Sequence, residues 1–303
     1  MPDPKSVFIN RTIRQSIDFL LFSNIFIALC AVAQALVTYK LLHIKPDQHV
    51  LGVLFCSTLA LYNFSMLLSK PANAKKSPFR RVRWIFGHYR MMVTLTIIAI
   101  ISLLSLGLFL SVPSLILLFF LAVIAVAYNL PLFTMNEKKF GLRNIPGLKL
   151  FLIALIWSLS CVLLPIVETA AMNLITISAA DTILLVGKRF LFIAAITVPF
   201  DIRDLFQDRN YNLKTIPVIL GERKAYLFCQ LLLLAYITLL LLFTKVPDAN
   251  FWGLTVTILL SGFLIFKSSI KKNEYYYFLY IDGIMILQFI MVLLFNWLFL
   301  LVL

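Results

Sequence analysis

Runs of about 20 apolar residues recur along the whole chain, and a run of that length is what an α-helix needs to cross a bilayer. Nine can be marked, at roughly 19–39, 50–68, 91–110, 112–133, 147–167, 182–200, 225–245, 250–266 and 279–303. Lipid offers no partner to a backbone N–H or C=O, so helices are the only sensible reading of such runs. The expected fold is therefore all-α: one integral-membrane bundle of nine transmembrane helices over residues 1–303. Only 13% of residues are charged, about half the share in soluble domains, and no stretch reads as a soluble domain. The turn "SVPS" around Pro113 divides the third run from the fourth, because proline has no backbone donor to continue a helix.

Basic residues orient this bundle. With the N-terminus inside, 22 of the 27 lysines and arginines fall in inner segments, and Lys40, Lys45 and Lys245 in outer ones. Cytoplasmic loops carry such an excess, so a cytoplasmic N-terminus and basic loops at 69–90 and 201–224 are expected. The net charge of +14 then reflects topology and calls for no nucleic-acid partner, although anionic lipid would bind such a surface. A bacterial cytoplasmic membrane is the expected location. "ALCAVAQA" (Ala28–Ala35) superficially resembles a signal-peptide cleavage site, but the apolar run continues to Tyr39, which favours an uncleaved first helix. The four cysteines lie inside spans without CxxC spacing and read as packing residues. Lys188 and Arg189 fall within the sixth run, as buried partners or as markers of a later helix start. "YYYFLY" (Tyr275–Tyr280) reads as an interfacial aromatic belt.

One polar feature stands out: "PFDIRDLFQDRNYNLKTIPVILG", from Pro199 to Gly221, at the end of the sixth run. On a continuous helix Asp201, Asp204 and Asp208 share one face, within roughly 60° of one another. Stacked like charges destabilise a helix, and its C-terminal end disfavours anions further. An opposing cation is implied. Hard carboxylate oxygens without His or Cys suit Mg²⁺, which completes its shell with water and substrate phosphates. The alternative is a solvated helix end whose aspartates pair with Arg203, Arg209 and Lys214. Asp282, at the start of the last run, reads as an anion stabilised by a helix N-terminus.

This stretch resembles the second aspartate-rich motif of the UbiA-type membrane prenyltransferases, a D-x-x-D-x-x-x-D pattern followed by Lys-Thr and a small apolar stretch ending in glycine. Here the matching positions are Asp201, Asp204, Asp208, Lys214, Thr215 and Gly221. "YNLP" (Tyr128–Pro131) and "GLKLFLIALIWS" (Gly147–Ser158) agree weakly. The resemblance implies a nine-helix bundle, Mg²⁺ as cofactor held by Asp201, Asp204 and Asp208, and transfer of a prenyl group from an allylic prenyl diphosphate to a lipophilic, often aromatic, acceptor. The sequence departs from that pattern at its first motif. "YNFSMLLSKP" (Tyr62–Pro71) keeps Asn63, but Phe64, Leu67 and Pro71 hold the three aspartate positions. The candidates for gripping the diphosphate are therefore Asn63, Lys70, Arg80, Arg81, Arg83, Lys149 and Lys214, since arginine forks match phosphate oxygens. Two further readings stay open: a catalytically silent relative that binds an isoprenoid lipid or a partner protein, and, less favoured, a transporter.

Overall fold

The computed structural model describes residues 4–302 except 69, 70, 72, 131, 132, 136, 137, 141, 143, 144, 146, 175, 211 and 212. Its helices are α1 (Pro4–Phe22), α2 (Ile25–Leu41), α3 (Gln48–Leu68), α4 (Arg80–Gly87), α5 (Tyr89–Gly107) and α6 (Val112–Asn129). There follow α7 (Leu148–Ser158), α8 (Leu164–Ala171), α9 (Ala179–Arg203), α10 (Leu205–Asn210), α11 (Ile216–Leu220), α12 (Glu222–Phe243), α13 (Ala249–Lys267) and α14 (Ile284–Val302). A π-helical turn, Leu159–Leu163, joins α7 to α8, and another, Tyr276–Ile281, leads into α14. Two three-residue strands, β1 (Phe133–Met135) and β2 (Lys138–Phe140), pair antiparallel with Phe133 opposite Phe140. They are the one addition to the all-α expectation among the described residues. They also shorten the fourth run, whose helix ends at Asn129.

Among the described residues seven helices are long and apolar enough to span a membrane. The bent pair α1–α2 makes an eighth if it is one span, and Val112–Tyr128 is apolar but shorter. The first run is thus not the straight helix expected at 19–39. It breaks by 62° at Ser23–Asn24, where Asn24 adopts a left-handed conformation (φ 67°) that asparagine tolerates better than most residues. The seam at "SVPS" holds as expected: Ser111 precedes α6 and Pro113 lies in its first turn. Buried Glu168 on α8 accepts hydrogen bonds from the Ser111 backbone N–H and hydroxyl, tying these two ends together.

The spanning helices pack in sequence: α2 on α3, α3 on α5, α6 on α3 and α7, α7 on α9, α9 on α12, α12 on α13, and α13 on α14. α14 then returns to α2 and closes a ring. α9 is central to the core, with Phe192, Ile193, Ala194, Ala195, Ile196 and Val198 all buried. Lys188 and Arg189 do not delay its start. Arg189 is buried and donates to Gln288 Oε1 (3.2 Å) and Thr38 Oγ1 (3.3 Å), fixing α9 to α14 and α2. The four cysteines are buried and unbridged.

Small residues allow close approach where lipid supplies no hydrophobic drive between helices. At Gly253 an added Cβ would stand 2.8 Å from the Val292 Cα and 3.0 Å from the Met291 carbonyl. Gly253→Val is expected to push α13 off α14 and cost about 1–3 kcal/mol, read as a lowered melting temperature in detergent. An unchanged melting temperature would show that the two backbones separate freely.

Candidate active site

The end of α9 meets the start of α7 at an ion pair: Lys149 Nζ lies 2.5 Å from Asp201 Oδ1, and the Asp201 side chain is 3% exposed. Arg203 forks onto its neighbour Asp204 through two bonds of 2.7 and 2.8 Å. Buried Asp208 accepts from the Thr215 hydroxyl at 3.1 Å, anchoring the segment that leads to α11. The three carboxylates therefore do not present one stacked face. α9 stops at Arg203 and α10 begins at Leu205, so the continuous helix assumed from spacing is interrupted at Asp204. Burial raises the Asp208 carboxyl above the usual carboxylate range, and Lys149 opposes that rise. Of the pairings expected for a solvated end, that with Arg203 forms. Arg209 and Lys214 are exposed.

A cavity of about 180 Å³ opens at this point. Asn24, Arg81, Lys149, Asp201, Asp204 and Asp282 give its polar lining. Tyr62 and Trp157 line it too, and the same two rings line a larger apolar groove of about 640 Å³ between α3, α5, α6 and α7. Phe64, which holds the first missing aspartate position, lines the groove and is 40% exposed.

The basic segment after α3 is distributed unevenly. Glu274 accepts from the backbone N–H of both Arg80 (2.9 Å) and Arg81 (3.0 Å), capping α4. Arg80 pairs with Asp18, which also accepts from the Tyr275 hydroxyl, so Arg80 clamps α4 to α1 and to the residues before α14. Arg83 is exposed and folds back onto the carbonyls of Ser77 and Pro78. Among the described residues of this segment, only Arg81 lines the cavity. Its guanidinium donates to Asn24 Oδ1 and stacks 4.4 Å from the Phe278 ring centroid. Asn24 Nδ2 in turn donates to Asn63 Oδ1 at 2.7 Å. The break at Asn24 thus serves the site, because it frees that side chain to bridge Asn63 and Arg81. Burial, with the Arg203 guanidinium nearby, lowers the Arg81 pKa to about 10, leaving it charged at neutral pH.

The structure accordingly places Asp201, Asp204, Arg81 and Lys149 around one cavity, with Asn63 behind Arg81. Asp208, Arg80, Arg83 and Lys214 stand outside its lining, and Lys70 lies outside the described residues. Sequence reading missed Asn24, named Arg203 only as a pairing partner of the aspartates, and read Asp282 as an end residue. Asp282 is no helix-start anion, because the π turn Tyr276–Ile281 carries the span back past it and it lines the cavity. Of the stretch read as an aromatic belt, Tyr280 is 53% exposed, whereas Tyr277 packs inside the protein. The hydroxyls of Tyr276 and Tyr277 are spent on the carbonyls of Leu264 and Ser269, and Tyr277 is fully buried.

Among the described residues no three Asp, Glu, His or Cys side chains converge as a metal cage. The donor set still fits a single Mg²⁺. Asp201 and Asp204 offer hard oxygens at the cavity, and Mg²⁺ needs only one or two carboxylates when phosphates and water complete its shell. A second ion finds no carboxylates at Phe64, Leu67 or Pro71.

No family model and no curated protein matches the sequence. Solved structures do match the fold. A UbiA homologue from Archaeoglobus fulgidus bound to GPP and Mg²⁺ superposes with a TM-score of 0.63 at 14% identity, covering 92% of this chain and 99% of that one. The apo structure of a UbiA homologue from Aeropyrum pernix K1 gives 0.56 at 15% identity, over 94% and 98% of the two chains. A digeranylgeranylglyceryl phosphate synthase structure gives 0.54 at 14%, over 93% and 98%. Ring order, span lengths and this coverage together identify the chain as a polytopic helical membrane protein with the UbiA-type fold.

Proposed function

We propose that the protein is a membrane prenyltransferase moving a prenyl group from an allylic prenyl diphosphate to a lipophilic acceptor. The observation that carries this reading is a small charged cavity set beside a large apolar groove, with Tyr62 and Trp157 lining both. A diphosphate head on a hydrocarbon tail has that same division, and the A. fulgidus homologue is bound to such a molecule together with Mg²⁺.

The chemistry follows from the lining. The allylic C–O bond breaks and the diphosphate departs with the electron pair, so negative charge grows on the leaving oxygens. Arg81 and Lys149 are positioned to stabilise that charge as it develops, which lowers the barrier more than it tightens ground-state binding. Asp201 and Asp204 would hold Mg²⁺, which when bound neutralises diphosphate oxygens. Tyr62 and Trp157, which line both the cavity and the groove, are the aromatic side chains available to stabilise the allylic carbocation by cation–π attraction. The acceptor then bonds to that carbon and releases a proton.

A second reading, a silent isoprenoid-binding relative, is favoured by two facts. The first-motif aspartates are replaced, and Asp201 and Asp204 already bond Lys149 and Arg203. The test is to incubate purified protein with Mg²⁺, labelled prenyl diphosphates of several lengths and a membrane-lipid extract. Release of pyrophosphate with a labelled lipophilic product is expected. Binding without release across the panel would leave the silent reading standing.

The same reading puts α4 and the end of α9 on the cytoplasmic face, as the 22-to-3 basic asymmetry requires. A single cysteine at exposed position 83 is expected to react with an impermeant maleimide only in inverted vesicles. Reaction in right-side-out vesicles would reverse the topology.

A further inference from the structure

The linker between α9 and α12 carries a surface pattern that prenyl transfer does not use. Residues 204–221 join the inner ends of two spans that pack on each other, and α11 packs on both spans. Gly221, at a positive φ (82°) that other residues rarely adopt, turns α11 directly into α12. On α12 the residues Leu227, Leu231 and Leu234 are 63%, 62% and 59% exposed, and their helical spacing makes them one lipid-facing stripe. Arg223 lies four residues before Leu227 and so tops that stripe, exposed, with Lys224 exposed beside it. On α11, just before them, Ile219 is 54% and Leu220 41% exposed. Charges on this linker are sorted by sign. Arg209, Lys214, Arg223 and Lys224 are exposed. Asp201 and Asp208 are buried, Asp204 is forked onto Arg203, and Glu222 is half-buried.

We propose that this linker is a site for anionic phospholipid of the inner leaflet: Ile219 and Leu220 enter the boundary between head groups and acyl chains, and Arg223 and Lys224, with Lys214 and Arg209 on the same linker, hold the head groups. Apolar side chains beside basic ones at the membrane surface bind by insertion and by charge together. Each lysine or arginine near an anionic surface contributes about fivefold in binding. The outward basic residues meet no exposed carboxylate among the described residues of the linker, so the complementary charge comes from lipid. The anchor also reaches the end of α9. The Leu213 N–H donates to the Asp208 carbonyl at 2.8 Å, and the Thr215 hydroxyl donates to the Asp208 carboxylate. Fixing α11 on the bilayer therefore steadies α10 and the turn at Asp204, which lines the cavity. The inference concerns the bilayer and stands apart from the transferase reading.

In the first experiment full-length protein in detergent is titrated with phosphatidylglycerol, or with phosphatidylcholine as the neutral control, and bound lipid is followed by native mass spectrometry. Phosphatidylglycerol is expected to bind the more tightly. The double variant Arg223→Gln/Lys224→Gln is expected to weaken its tightest step about twentyfold without moving the melting temperature. Removing the same charge elsewhere on this face, as Lys76→Gln/Arg90→Gln, is expected to leave that step in place. Equal affinity for the two lipids, or equal loss from the two double variants, would overturn the site. In nanodiscs the amides of Leu213, Ile219 and Gly221, bonded to the carbonyls of Asp208, Thr215 and Pro217, should exchange more slowly once phosphatidylglycerol replaces part of the phosphatidylcholine. Exchange indifferent to lipid charge would overturn the anchoring of α11. Neither measurement involves turnover, so a protein that transfers no prenyl group would leave the lipid site standing.

Discussion

Lys149→Met is expected to be the most destabilising single change in the polar site, at about 3–5 kcal/mol, because it strands a buried carboxylate. Asp201 has a 3% exposed side chain and loses its one short ion pair, while Lys149, at 24%, reaches partly to solvent. The effect is therefore asymmetric. Asp201→Leu leaves a lysine whose long stem can carry its ammonium to water, and costs less. The double substitution should recover most of the loss, giving a coupling energy well outside the few tenths of a kcal/mol seen for independent sites. Thermal unfolding in detergent of the wild type, both single variants and the double variant measures this cycle. Additive losses would mean that the pair is incidental to folding.

Asp204→Asn is expected to affect catalysis and spare the fold. Asparagine keeps one oxygen to accept from Arg203, so the stack of Arg203 on Phe278 can persist. It removes half of the carboxylate charge that Asp201 and Asp204 offer to Mg²⁺ at the cavity. Pyrophosphate release should fall by roughly 10²–10³, the scale for losing one preorganised electrostatic group, and the Mg²⁺ response should flatten. Turnover within about twofold of wild type, with the Mg²⁺ response intact, would return Asp204 to the role of a helix-end ion pair.

How far the sequence carried these conclusions differs by feature. Long apolar runs made the spans legible because span length is set by bilayer thickness, and α3, α9 and α13 lie close to the runs that announced them. The break at Ser23–Asn24 was not legible. Apolar residues flank it on both sides, and nothing local signals a left-handed asparagine. The acidic stretch pointed to the right end of α9, but periodicity alone implied one continuous helix and three stacked aspartates. The interruption at Asp204 sends Asp208 to Thr215 instead. Among the basic candidates the sequence could not separate Arg81 from Arg80 and Arg83. That choice is made by partners far along the chain: Glu274 lies 194 residues from Arg80, and Asn24 lies 57 from Arg81. Asp282 was misread because a π turn extends the last span toward Tyr276, and π turns carry no simple sequence signature. The strands β1 and β2, at three residues each, are too short for alternation to show.

The central claim is that one site holds a charged head among Arg81, Lys149, Asp201 and Asp204 and an apolar tail between α3, α5, α6 and α7. A prenyl diphosphate analogue with a photoreactive group at the far end of its tail tests this most directly. After irradiation and proteolysis, labelled peptides are expected from the groove, at Leu103, Leu104, Leu118 or Ala122, and labelling should fall when excess pyrophosphate competes for the head. Labelling spread over the lipid-facing surfaces of α12 and α13, insensitive to pyrophosphate, would contradict the account.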